Sequence, residues 1–154
     1  MGGIAQAHTH TRTHAAVSYA CATVLLAAGV SGFLRPEPLQ SYVAARVDWR
    51  AEVVLPIATA VAVIEIAAGM VLLSRHRLAV LFAGTVFLVY TAIHAFEFVK
   101  YTPVACPCAA GAFALLPQRA SHGLLGSACA AASVWLLRCG LRWVDSPIGR
   151  SVPR

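Results

Sequence analysis

The chain reads as an all-α integral membrane protein, a bundle of four spanning helices. Three observations predict this. Hydrophobic residues make up 59% of the 154-residue sequence and charged residues only 12%, about half the charged share of a soluble domain. The apolar content is gathered into four runs, Thr13–Leu34, Val53–Ser74, Leu78–Phe96 and Ala120–Leu137. Each is about 20 residues long, the length that crosses a bilayer at 1.5 Å per residue. Within the runs the only charge is Glu65, and no strong amphipathic period marks them as faces of a soluble bundle.

Residues 1–14 form a polar leader, 15–140 the four-span membrane domain and 141–154 a tail. The leader carries His8, His10 and His14. Alternating histidines can bind a metal, but nothing in the sequence holds these imidazoles together, so the leader is expected to be disordered. The first run is longer than the apolar core of a secretory signal and reads as an uncleaved span. Arg35-Pro36-Glu37-Pro38 ends it, because two prolines cannot continue a helix. Leu39–Trp49 is semi-polar, a short surface helix with Tyr42 and Trp49 as interfacial anchors. The second span is expected to start near Val53, with Pro56 in its first turn, where a missing N–H costs little. The third ends in Phe96-Glu97-Phe98-Val99-Lys100-Tyr101, an exit pattern. Ala109–Leu116 is too short to span and reads as a re-entrant or interfacial turn. The fourth span follows Pro117 and ends near Cys139-Gly140, with Trp143 at the interface.

The net charge of +6 carries no nucleic-acid signal, since the basic residues sit at span ends rather than in a stripe with aromatics. Alternate loops divide them unevenly. Arg12, Arg75, Arg77, Arg138, Arg142, Arg150 and Arg154 fall on one side. Arg35, Arg46, Arg50, Lys100 and Arg119 fall on the other, among acidic residues. The positive-inside rule then places both termini in the cytoplasm and the chain in the inner (plasma) membrane as a multi-pass protein.

The chemistry points to Cys106-Pro107-Cys108, outside every span and, by that topology, on the oxidising side. Two adjacent thiols support reversible disulfide chemistry or a soft-metal site. A disulfide within Cys-X-Cys is strained and therefore exchanges readily, which suits Cys106 and Cys108 as a catalytic pair, one attacking and the other resolving. Glu65 lies roughly 13 Å from the cytoplasmic edge at helical rise, near mid-bilayer, where a carboxyl costs free energy and marks a functional or paired residue. Its candidate partners on other spans are Ser18, Tyr19, Thr85 and Thr91. Tyr90, His94 and Glu97 share one face of the third span. His94 is a candidate to exchange the proton that accompanies thiolate formation, with His122 a weaker one. Cys21 and Cys129, set among small residues, are expected to pack.

Ala28-Gly29 before a Pro-containing loop, and Ile64-Glu65 with Gly69 and Leu72-Leu73, resemble the first two spans of the DoxX-like superfamily. Cys106-Pro107-Cys108-Ala109-Ala110-Gly111 after span three resembles the MauE branch, the methylamine utilization membrane proteins. The resemblance covers roughly residues 17–137. It implies a four-helix membrane protein that works with a thioredoxin-like partner during maturation of disulfide-containing periplasmic proteins. The usual Cys-Gly-Cys-Phe-Gly is replaced here, which bears on redox potential and partner fit, and nothing points to methylamine itself.

The expectation is thus a membrane protein that contacts the lipid bilayer and an extracytoplasmic thioredoxin-like protein or disulfide-containing client, and no nucleic acid. It would be a thiol–disulfide oxidoreductase or its membrane electron relay. No residue identifies a cofactor, although a quinone is an admissible acceptor. Two rivals remain: a non-enzymatic membrane subunit of a larger complex, and a Cu(I) carrier using the same two thiols.

Overall fold

The computed structural model describes residues 3–45, 51–74, 76–100 and 117–145, with backbone alone at 3–12, 51, 118 and 142–145. Five helices occupy them: α1 (Gly3–Leu34), α2 (Glu37–Ala44), α3 (Ala51–Leu73), α4 (Arg77–Lys100) and α5 (Gln118–Asp145). No strand occurs among the described residues. Four of the helices, all but α2, are long and apolar enough to span a membrane. The expected all-α four-span bundle is therefore present, with a short α2 between the first two spans.

Each boundary has a local cause. Pro36 stops α1, whose last turn closes with Arg35 N–H donating to the Ser31 carbonyl at 2.9 Å, and Pro38 sits in the first turn of α2, where a missing N–H costs little. Ser74 ends α3, its hydroxyl donating to the Val71 carbonyl at 2.6 Å, and His76 opens α4 by accepting the Leu78 N–H on Nδ1 at 3.4 Å. Inside the spans, hydroxyls turn back on their own helix: Thr23, Thr59 and Ser127 each donate to the carbonyl four residues earlier. Such bonds make these polar groups tolerable in lipid.

Two expectations are corrected. The leader is not disordered but helical from Gly3. Once nucleated by the span, a helix extends cheaply, and His14 near the end of that segment is anchored to α5, as described below. Pro56 lies inside α3, which begins at Ala51, so it falls beyond the first turn, where its missing N–H removes one helical bond.

The helices run antiparallel in two tight pairs, α1 along α3 and α4 along α5, joined by a shorter α3–α4 seam. Small residues set the pairing. A methyl added at Gly29 would lie 2.8 Å from the Ala62 carbonyl oxygen and 2.9 Å from Glu65 Cβ, and one at Gly69 would lie 2.7 Å from Leu26 Cγ and 3.1 Å from the Ala22 oxygen. The two glycines thus seat α1 and α3 in each other reciprocally. On the other pair, Gly84 faces Leu136 and Leu137, and Gly140 faces Leu81. Ala22, Ala62, Ala68 and Ala83 are fully buried, with Leu25, Leu72 and Leu136 filling the space between. In lipid, where apolar side chains gain little by leaving the acyl phase, such close approach is the main source of helix association. Leu34, Leu78, Val99 and Val134 stand outward, as a bilayer-facing surface requires.

Gly29→Ala should weaken the α1–α3 pair by about 1–3 kcal/mol, because its methyl meets backbone that cannot move aside. Gly32→Ala should be near neutral, since its methyl would sit 3.5 Å from Leu39 Cδ2, an ordinary contact. Denaturant unfolding of both variants in mixed micelles checks this; equal stabilities would contradict it.

Candidate functional site: two hydrogen-bonded pairs along α4

α4 carries the site because its large polar side chains within the span share one face. Tyr90, His94 and Glu97 follow one another at near-helical spacing. His94 is 5% exposed and Glu97 2%, so the expected shared face exists and points inward. It serves two neighbours rather than one. Tyr90 meets α3, and His94 meets α5.

Glu65, on α3, is 2% exposed. Tyr90 Oη donates to its Oε1. This partner was not among those expected for Glu65: the Thr85 and Thr91 hydroxyls donate instead to the Leu81 and Phe87 carbonyls of their own helix. A phenol reaches across the seam where a threonine hydroxyl, held close to its backbone, does not. The backbone of α1 closes the other side of Glu65 through Gly29. The Ala28-Gly29 and Glu65-to-Gly69 patterns noticed in the sequence are therefore one structural unit.

One helical turn along α4, His94 Nδ1 lies 3.2 Å from His122 Nδ1, with ring centroids 5.5 Å apart. Two equivalent nitrogens can bond only if one carries the proton and the other accepts it, so the rings are in complementary states. Gly126 permits this contact, as a methyl there would lie 3.2 Å from His94 Cβ. His122 is 3% exposed, and its Nε2 has no hydrogen-bond partner among the described residues. His122, ranked low in the sequence, is thus the direct partner of His94. Among the described residues no three His, Cys, Asp or Glu side chains converge as a metal centre.

Tyr90 and His94 both border a cavity of about 310 Å³ at the α3–α4 seam, roofed by Leu39 and Tyr42 of α2. Tyr42, expected to anchor at the membrane surface, is instead buried, because α2 folds back onto α3. Cys106 and Cys108 lie outside the described residues, as do Trp49 and the 109–116 turn. Cys21 is buried in the core, and Cys129 packs against it, as expected.

The sequence reading missed a further contact. Cys139 Sγ lies 3.1 Å from His14 Nδ1, and the His14 ring rests 5.2 Å from that of Trp135. The alternation of spans puts the start of the first and the end of the fourth at the same end of the bundle, a signal that allowed the contact without selecting it.

Glu65→Gln should preserve folding, because its amide oxygen still accepts from Tyr90. Glu65→Leu should lower stability by about 1–3 kcal/mol by leaving the hydroxyl without its acceptor. Thermal unfolding in detergent distinguishes them, and a leucine variant as stable as wild type would remove Glu65 from the structural account.

No curated protein and no solved structure matches the chain. The family model described as methylamine utilisation protein MauE matches residues 11–139, from the leader to the end of the fourth span, and so contains both buried pairs and the cysteine segment. By that match the chain belongs to the MauE family of membrane proteins.

Proposed function

We propose that this MauE-family protein supports thiol–disulfide exchange on the extracytoplasmic face of the plasma membrane, with Cys106 and Cys108 as the exchanging pair. The observation that carries this reading is the inward face of α4. Tyr90, His94 and Glu97 bring hydrogen-bonded, titratable groups along the helix that leads at Lys100 into the segment bearing the two cysteines. Thiol–disulfide exchange needs a thiolate, and a thiolate needs a base to hold its proton. His94, backed by His122, is suited to that.

The step balances without a further reagent. One cysteine, as thiolate, attacks a sulfur of the partner's disulfide. A mixed disulfide forms and the partner's other sulfur leaves as thiolate. The second cysteine then attacks its neighbour's sulfur, closing a disulfide in this chain and releasing the partner as a dithiol. Run in reverse, the same steps oxidise a partner. A thioredoxin-like protein or a disulfide-containing client fits as partner, because each presents an accessible disulfide. The family description names methylamine utilisation; no amine substrate is proposed for this chain.

Two measurements test the proposal. Cys106→Ser and Cys108→Ser should differ on non-reducing gels after acid quenching. One variant should accumulate a partner adduct and the other should not, since one thiol attacks and the other resolves. Identical patterns with no adduct, at normal activity, would favour a non-enzymatic subunit; copper that co-purifies and is lost in Cys106→Ser would favour a carrier. In reduced intact cells, a membrane-impermeant thiol reagent should label Cys106 and Cys108 but not Cys139, and the opposite pattern would invert the proposed topology.

A further inference from the structure

The end of the bundle opposite the cysteine segment holds another thiol with a base beside it. Cys139 closes the fourth span and His14 opens the first, and Cys139 Sγ lies 3.1 Å from His14 Nδ1. The His14 ring rests 5.2 Å from the Trp135 ring, tilted by 41°. Trp135 precedes Cys139 by one helical turn and shares its face of α5. One helix thus supplies the thiol and the ring that holds the base, and the other supplies the base. Cys139 is half-buried and carries no disulfide, whereas Cys21 is buried in the core and Cys129 packs against it. By helical rise Cys139 is about 25 Å from His122, so this pair is separate from the histidines at the other end of α5.

We propose that Cys139 and His14 form a nucleophilic thiol pair that reacts with small anionic disulfides at this end of the bundle. A sulfur within hydrogen-bond reach of an imidazole, itself oriented by a third group, is the arrangement that makes a cysteine reactive. The proton between Sγ and Nδ1 sits on one or the other, and with the proton on nitrogen the sulfur is a thiolate. Packing alone does not call for this contact. A cysteine used as a small hydrophobe sits among apolar residues, as Cys21 does beside Ala22, Leu25 and Ala68, and not against a titratable ring. The charge at this end selects the reagent. Arg12, Arg75, Arg77, Arg138 and Arg142 belong to its segments, and residues 1–14, 74–78 and 138–144 contain no acid. A disulfide bearing carboxylates is drawn to such a surface, and a cationic one is repelled.

The step balances with the small disulfide as its own oxidant. Cys139 passes its proton to His14 Nδ1, and the thiolate attacks one sulfur of the disulfide. The bond between the reagent's two sulfurs breaks as the new one to Cys139 forms. Cys139 ends in a mixed disulfide, and the other half of the reagent leaves as a thiolate and takes the proton from His14. A second small thiol reverses the step by attacking the mixed disulfide. Nothing in this chemistry uses Cys106 or Cys108, so it stands or falls separately from the proposed function.

The test uses the full-length protein in uncharged phosphatidylcholine nanodiscs, with Cys106→Ser and Cys108→Ser introduced so that their thiols do not contribute. The probe is dithiobis(nitrobenzoate), an anionic aromatic disulfide whose released thiolate is coloured. We expect a fast release of a single equivalent at neutral pH, with the adduct mapped to Cys139 by mass spectrometry and the rate falling as salt screens the arginines. His14→Gln should slow the release at least about tenfold. A glutamine oxygen can still accept the S–H bond, so a contact that only ties the helices together would survive this change, whereas a base would be lost. His14→Phe, which keeps a ring against Trp135, should slow it as much. An adduct on Cys129 in place of Cys139, a rate that salt leaves unchanged, or a His14→Gln rate equal to or above that with His14 in place would overturn the proposal.

Discussion

The bond from Tyr90 to Glu65 is the interaction on which the arrangement turns. α1 and α3 form one tightly packed pair, α4 and α5 another, and the α3–α4 seam between them is looser than either. A carboxyl buried near mid-bilayer is costly unless its oxygens find donors. The phenol of Tyr90 provides one, and by doing so pins the two pairs in one register. A single side-chain hydrogen bond between spans is worth only about 0.6–2 kcal/mol, but the alternative of a separated seam leaves both groups exposed to hydrocarbon. The cavity beneath α2 is a consequence: polar groups at its edge hold the helices together while apolar side chains leave space beside them.

The close α1–α3 approach makes this bond geometrically available. Gly29 and Gly69 let the two backbones come within contact of each other, which sets the rotation of α3 about its axis and turns Glu65 toward α4 rather than toward lipid. A larger residue at either position would push the helices apart and rotate the carboxyl. Packing and chemistry are thus coupled through glycines that themselves carry no functional group.

The inward face of α4 serves two neighbours in turn. Tyr90 is used by α3 and His94 by α5, so a single stripe becomes two separate hydrogen-bonded pairs. The spacing of Tyr90, His94 and Glu97 was visible in the sequence because a polar stripe in an otherwise apolar run stands out. Its division between partners was not, because that depends on where α3 and α5 sit around α4. The same reasoning applies to Glu65. As the one charge within the four runs it was conspicuous. Its partner was not: Tyr90 was absent from the candidates, which included Tyr19 on the first span, and the threonine hydroxyls considered, Thr85 and Thr91, close on their own helix, whereas the Tyr90 phenol is long enough to leave it. Cys139 and His14 show the limit from the other direction: each looked unremarkable alone, one as a span-end cysteine and the other as part of a loose leader, until the helices brought them together.

The number of spans, their lengths, their alternation and the identity of the costly polar residues were legible in the linear chain, because bilayer thickness and the price of burying charge act on each segment separately. Which faces meet was decided in three dimensions. In lipid an apolar helix face gains little hydrophobic free energy by being covered by another apolar face, so hydrophobicity does not mark the interface. The fit of Gly29 against Ala62, the reach of Tyr90 to Glu65 and the approach of His94 to His122 choose it, and each depends on the relative rotation and depth of two helices that no local pattern encodes.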